Sequence, residues 1–182
     1  MQRTFLVVIL TLQLWSASVS QVRYTVVDLS ALASVTAINS RGHVLGQSSS
    51  RRAVIWEDGT IIDLGDLAGF GSDGTAINDN DEVTGSSPVT LHGSGHAFLW
   101  SNGIMTDLGV LPGGEGSIGI SINDSSQITG YSADSVTHDA TACRWVNGVI
   151  SSLGIPAIRS VTNGINNAGQ ITGSYNNTVF SD

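Results

Sequence analysis

The sequence predicts an all-β fold, a propeller-like array of four four-stranded repeats. Three observations carry that expectation. First, a tryptophan segment followed by a turn and Leu-Gly occurs three times. The copies are Ala53-Val-Ile-Trp56 with Asp63-Leu-Gly65, Ala97-Phe-Leu-Trp100 with Asp107-Leu-Gly109, and Ala142-Cys-Arg-Trp145 with Leu153-Gly154. Second, a partner segment occurs four times: Ile38-Asn39 to Gly46, Ile77-Asn78 to Gly85, Ile122-Asn123 to Gly130 and Ile165-Asn166 to Gly173. The tryptophans are 44 and 45 positions apart, and the asparagines step by 39, 45 and 43. Third, no window holds apolar residues at helical spacing for three turns, so no helix is expected in the mature chain. The pattern fits either a closed four-bladed ring or a fragment of a longer propeller.

Residues 1–20 read as a secretory signal and residues 21–182 as a single β-repeat domain. Arg3 gives the positive start, Phe5 to Leu12 an apolar core, and Ser16-Ala-Ser-Val-Ser20 a small-residue end suited to cleavage before Gln21. The apolar run falls short of the roughly 20 residues that a spanning helix needs, so no membrane insertion is expected after cleavage. Trp15 lies in this segment and is not a repeat tryptophan.

Residues 24–29 match residues 60–64, the strand that follows the Trp turn. The next full unit reads as residues 60–64, a glycine-rich loop, residues 75–78, a tight turn, residues 82–86, a polar loop and residues 96–100. β-branched and aromatic residues fill the strands, while Gly, Asn, Asp and Ser fill the gaps. In the last strand of the unit, Phe98 and Trp100 share one face and Ala97 and Leu99 the other. Both faces are apolar, so this strand is expected between two sheets. Asp58-Gly59, Asn102-Gly103 and Asn147-Gly148 supply the positive φ of hairpin turns. Asn39, Asn78, Asn123 and Asn166 each open a turn that an Asn side chain can satisfy. Gly46, Gly85, Gly130 and Gly173 mark close approach of a neighbouring backbone. At the end of the chain only Val179 and Phe180 resemble the Trp strand. Residues 24–29 beside 177–181 would complete a fourth set of strands and remove two exposed sheet edges.

Ala-Phe-Leu-Trp, Asn-Gly, Asp-Leu-Gly and Ile-Asn-x-x-x-x-Ile/Val-x-Gly together resemble the HAF-repeat family of extracellular repeat proteins. The family is named for His-Ala-Phe, which stands intact once here, at His96-Ala97-Phe98. The resemblance covers nearly all of the chain after the first two dozen residues. Two copies depart from it: Arg52 and Thr141 replace the His, and Val54 and Cys143 replace the Phe. That argues against a role needing the His in every unit. The resemblance implies secretion and a β-repeat fold; it implies no activity.

Composition agrees with an exported, soluble product in the extracellular space or periplasm. The chain has no Lys, seven Arg and fifteen acidic residues, a formal net charge of -8. Nucleic acid and anionic membrane surfaces call for a basic face, so neither is an expected partner. The single Cys143 cannot form an internal disulfide and, in the Phe position of its strand, reads as a buried thiol.

Several residue patterns invite a sharper reading. Asn78-Asp-Asn-Asp-Glu82 alternates oxygen ligands as a calcium loop does, but it aligns with Asn39-Ser-Arg-Gly42 and reads as a polar turn. His92 and His96 have a helical zinc spacing, which Gly93-Ser-Gly95 makes unsuitable for a helix, so no metal and no cofactor is expected. Asp63 and Asp107 are repeat equivalents suited to turn satisfaction. Pro112-Gly-Gly-Glu-Gly116 lacks the Lys and helix start that hold phosphate. The copies differ most in the loops before the Ala-x-x-Trp strand, where binding residues on a rigid scaffold concentrate. The expected ligand-binding residues are Phe70, His92, Tyr131, Asp134 and His138. The expected function is a non-catalytic module that binds an extracellular glycan or protein, or a structural scaffold. The alternative is an enzyme, or part of one, acting on an extracellular polysaccharide through acids such as Asp134, Asp139 or Glu115. That chemistry needs two carboxylates converging in a pocket.

Overall fold

The structure, a computed structural model, describes residues 6–10 and 24–176. It is all-β, with antiparallel pairing throughout and no helix among the described residues. β1 (Leu6–Leu10) pairs with β2 (Tyr24–Asp28) in a two-stranded sheet. Three four-stranded sheets follow. The first is β3 (Ser34–Ile38), β4 (Val44–Gln47), β5 (Ala53–Glu57) and β6 (Thr60–Asp63). The second is β7 (Asp73–Ile77), β8 (Val83–Pro88), β9 (Gly95–Ser101) and β10 (Ile104–Asp107). The third is β11 (Gly114–Ile122), β12 (Ile128–Asp134), β13 (Ala140–Val146) and β14 (Val149–Ser152). A two-stranded sheet of β15 (Arg159–Ile165) and β16 (Ile171–Asn176) comes last.

Each four-stranded sheet is an up-and-down meander, and the unit boundary differs from the one read in the sequence. The strand after the Trp turn stays with its tryptophan strand: β6 pairs with β5, and β10 with β9. The chain crosses to the next sheet only after Asp-Leu-Gly. The reason is local. A two-residue Asp-Gly or Asn-Gly turn with both φ positive closes a hairpin, whereas the longer glycine-rich loop spans the distance between sheets. Among the described residues the array contains three complete four-stranded meanders flanked by two strand pairs. Among the described residues the hydrogen-bonded partner of β2 is β1, which lies in the segment read as a signal. The expected end strand at residues 177–181 and most of residues 1–20 lie outside the described residues.

The tryptophan strands are covered on both faces, as their composition requires. Phe98 and Trp100 pack with Leu45, Ile55 and Leu64 of the preceding sheet, while Ala97 and Leu99 pack with Ile122, Cys143 and Trp145 of the following one. One sheet earlier, Val54 and Trp56 face Leu29 and Leu32, and Ala53 and Ile55 face forward. The Phe and Trp positions thus always look toward the preceding sheet. The forward position runs from buried Ile55 through half-buried Leu99 to exposed Arg144, which stands in the last complete sheet. Trp145 is buried, and its indole Nε1–H donates to the Leu108 carbonyl at 2.9 Å, so the polar edge of the ring is satisfied in the core.

The first two strands of each meander share a bulge, as does the β15–β16 pair, between Val35/Ala37, Gly74/Ala76, Gly119/Ser121 and Thr162/Gly164. Gly46, Gly85, Gly130 and Gly173 sit opposite it, and a Cβ at Gly85 would overlap the carbonyl oxygen of Asp73. The backbone approach expected from the sequence is therefore within one sheet, where the bulge draws the two strands together.

Candidate functional site

The repeated polar residues are spent on architecture. In every repeat the Asn Oδ1 accepts two backbone N–H bonds of its own turn; for Asn78 these come from Asn80 and Glu82 at 3.0 and 2.9 Å. Its Nδ2 does a second job, donating across to the equivalent turn one sheet on. Asn39 donates to the Asn78 carbonyl, Asn78 to Asn123 and Asn123 to Asn166, at 3.1, 2.9 and 3.1 Å. Beside this ladder runs another. The N–H groups of Ser40, Asp79 and Asp124 donate to side-chain oxygens of Asp79, Asp124 and Asn167. The donated Ser40 bond holds the exposed Asp79 carboxyl below its ordinary pKa.

Those bonds account for the calcium-like segment Asn78 to Glu82. Asp81, at φ +60°, takes Asn39, Arg41 and His43, and Glu82 Oε2 accepts from Asn78 Nδ2 and Ser126 Oγ at 2.7 Å each. The oxygens are turned into the ladder rather than toward a common centre. Among the described residues no three or more His, Cys, Asp or Glu side chains group in a way that would hold a metal ion.

The histidine of the intact His-Ala-Phe is likewise committed. His96 Nδ1 lies 3.0 Å from both carboxylate oxygens of Asp107 on the adjoining strand. One sheet earlier Arg52 occupies the same place and sits 3.6 Å from Asp63. In the third copy the two positions are Thr141 and Ser152, so cation and acid disappear together. Asp63 and Asp107 also accept from the N–H of Gly65 and Gly109 at 2.8 and 2.7 Å, which caps the turn into the inter-sheet loop.

The five residues singled out in the sequence fall into two groups. Phe70 and His92 come together from different loops to line one cleft of about 530 Å³. Tyr131, Asp134 and His138 belong to the third meander and do not line that cleft. Tyr131 is half-buried in β12, paired with Ile118 and Ala142. Asp134 Oδ1 accepts from the N–H of Val136 and Thr137 at 2.8 and 2.9 Å, bonds that lower its pKa and shape its own loop. His138 Nδ1 meets Glu115 Oε1 at 2.6 Å across the same loop region.

Three loops form the cleft. The β4–β5 hairpin brings Ser50, Arg51 and Arg52; the crossover between the first two meanders brings Phe70; the β8–β9 loop brings Leu91 and His92. Phe70 and Leu91 are both open to solvent, 38% and 65% exposed. The lining contains no Asp or Glu. Sequence reasoning found Phe70 and His92 but missed Arg51 and Leu91. The signal available for Arg51 was the Arg51-Arg52 pair, two adjacent cations in a chain without Lys. Comparison with family models and with curated proteins finds no match to this chain. The fold and site define an all-β repeat protein of stacked antiparallel meanders with a cleft between its first two units.

Proposed function

We propose that the chain is a secreted, non-catalytic HAF-repeat module of the propeller-like kind, binding an extracellular glycan through the cleft of Phe70 and His92. One observation carries the reading: the variable loops of neighbouring meanders converge there and leave Phe70 and Leu91 open to solvent. A repeat scaffold held by cross-sheet ladders keeps such loops in place, the arrangement in which loops serve recognition. Polysaccharide hydrolysis would need facing carboxylates, and two of the three acids named for it are engaged elsewhere, Glu115 with His138 and Asp134 in its own turn. Secretion rests on the signal-like residues 1–20. Cleavage before Gln21 would remove β1 and free one edge of β2.

Binding of the purified protein to a panel of immobilised extracellular polysaccharides tests the reading. The wild type retains at least one polymer, and Phe70→Ala with Leu91→Ser loses it without a change in melting temperature. Retention by the double variant at wild-type level removes the cleft from the function. Mass spectrometry of exported protein tests the compartment: a mature form still carrying Phe5 to Leu14 contradicts the signal.

A further inference from the structure

We infer that the cleft selects an acidic polysaccharide, with Arg51 reading a sugar carboxylate and Phe70 carrying the face of a ring. This rests on the glycan-binding reading and narrows it to a chemical class.

Charge is the first argument. In a chain of net charge -8, two of the seven Arg residues stand side by side at this cleft. They are not equivalent. Arg52 reaches Asp66, a carboxylate only 4% exposed, at 2.9 Å and Asp63 at 3.6 Å. The approach to Asp66 Oδ2 is oblique, an ion pair rather than a directed hydrogen bond. Arg52 is thereby neutralised. Arg51 is exposed and has no ion pair among the described residues. With no acid in the lining, its guanidinium is the uncompensated charge of the cleft.

Placement is the second argument. Arg51 adopts φ +59°, a conformation that L side chains seldom take. Its N–H donates to Ser48 at 3.0 Å and its carbonyl accepts from Ser72 at 3.1 Å. Gly71 lies against that carbonyl, where a Cβ would overlap it. The backbone is thus fixed from both sides, and the side chain projects from a rigid turn beside Phe70. A guanidinium meets a carboxylate with two parallel hydrogen bonds. The negative face of an aromatic ring attracts the polarised C–H face of a sugar. The hydroxyls of Ser50 and Thr90 complete a lining suited to sugar hydroxyls.

Binding to polygalacturonate, to the same polymer with its carboxyls reduced to alcohols, and to single-stranded poly-dT tests the inference. Polygalacturonate is expected to bind and to weaken with salt, and carboxyl reduction to lower affinity about tenfold or more. Arg51→Gln should lose as much, Leu91→Asp should lose it by repulsion without touching the Arg51 turn, and Arg159→Gln should bind as wild type. Equal binding of the acidic and reduced polymers, or undiminished binding by both Arg51→Gln and Leu91→Asp, overturns the charge selection and leaves the glycan module standing. Preference for poly-dT overturns the carboxylate class. Binding to none of the polymers overturns the inference, and binding to no neutral glycan either removes the module reading with it.

Discussion

Asn78 Nδ2 donates to the carbonyl of Asn123 at 2.9 Å, linking positions 45 residues apart in adjacent meanders. The same side chain closes its own turn through Oδ1. One amide therefore sets both the turn and the stacking of one sheet upon the next. Aspartate offers only the acceptor half of this pair, and alanine offers neither.

Asn78→Ala should be strongly destabilising, since Asn78 is buried and leaves backbone groups without partners. The expected loss is about 2–4 kcal/mol by urea denaturation. Asn166→Ala, in the exposed last rung, should lose clearly less. Equal losses would show that only the turn matters and the ladder contributes nothing.

Gly85→Ala and Gly103→Ala separate crowding from backbone conformation. At Gly85 the new methyl overlaps the Asp73 carbonyl, and a loss of about 1–3 kcal/mol or more follows from strain at the bulge. At Gly103, with φ +83° and open space around it, only the left-handed conformation is penalised, by about 1 kcal/mol. Thermal unfolding of the two variants ranks them, and a larger loss at Gly103 contradicts the bulge account.

Cys143 is fully buried, and desolvation pushes its thiol from 9.0 up to about 12. Only the neutral thiol fits the core, so the unfolded chain loses its proton first as pH rises. Stability from this site is whole below pH 9 and falls between pH 9 and about 12, at up to about 1.4 kcal/mol per pH unit. Cys143→Ala should flatten that part of the stability profile. In the native protein at pH 8 a thiol reagent should react only after denaturant is added; rapid native labelling rules out the buried site.

Trp145→Ala should cost about 3–5 kcal/mol, the range for a buried aromatic, and Trp145→Phe about 1–2 kcal/mol through the orphaned Leu108 carbonyl. His96→Ala breaks only a half-exposed pair with Asp107 and should cost less than about 1 kcal/mol. Calorimetry on the three variants checks the order. A His96 effect as large as that of Trp145 would make the histidine a core element.

The sequence by itself determined the strands, their turns and their two apolar faces. Period-two alternation around Phe98 and Trp100, the Asn-Gly turns and the recurring Ile-Asn are local signals, and each acts on the residues that carry it. The position of Gly85 was also legible, because only a missing side chain permits the contact. Tertiary structure decided which strands form one sheet, and it moved the unit boundary to the loop after Asp-Leu-Gly. It also decided that the Asn amides bridge sheets, that Arg52 is spent on Asp66 while Arg51 stays open, and that Phe70 and His92 meet while Tyr131, Asp134 and His138 lie in another meander. The physical reason is that a hydrogen bond, an ion pair or a cleft depends on groups dozens of residues apart. Their approach is fixed by how whole sheets stack, and the pattern within any one repeat carries no record of it.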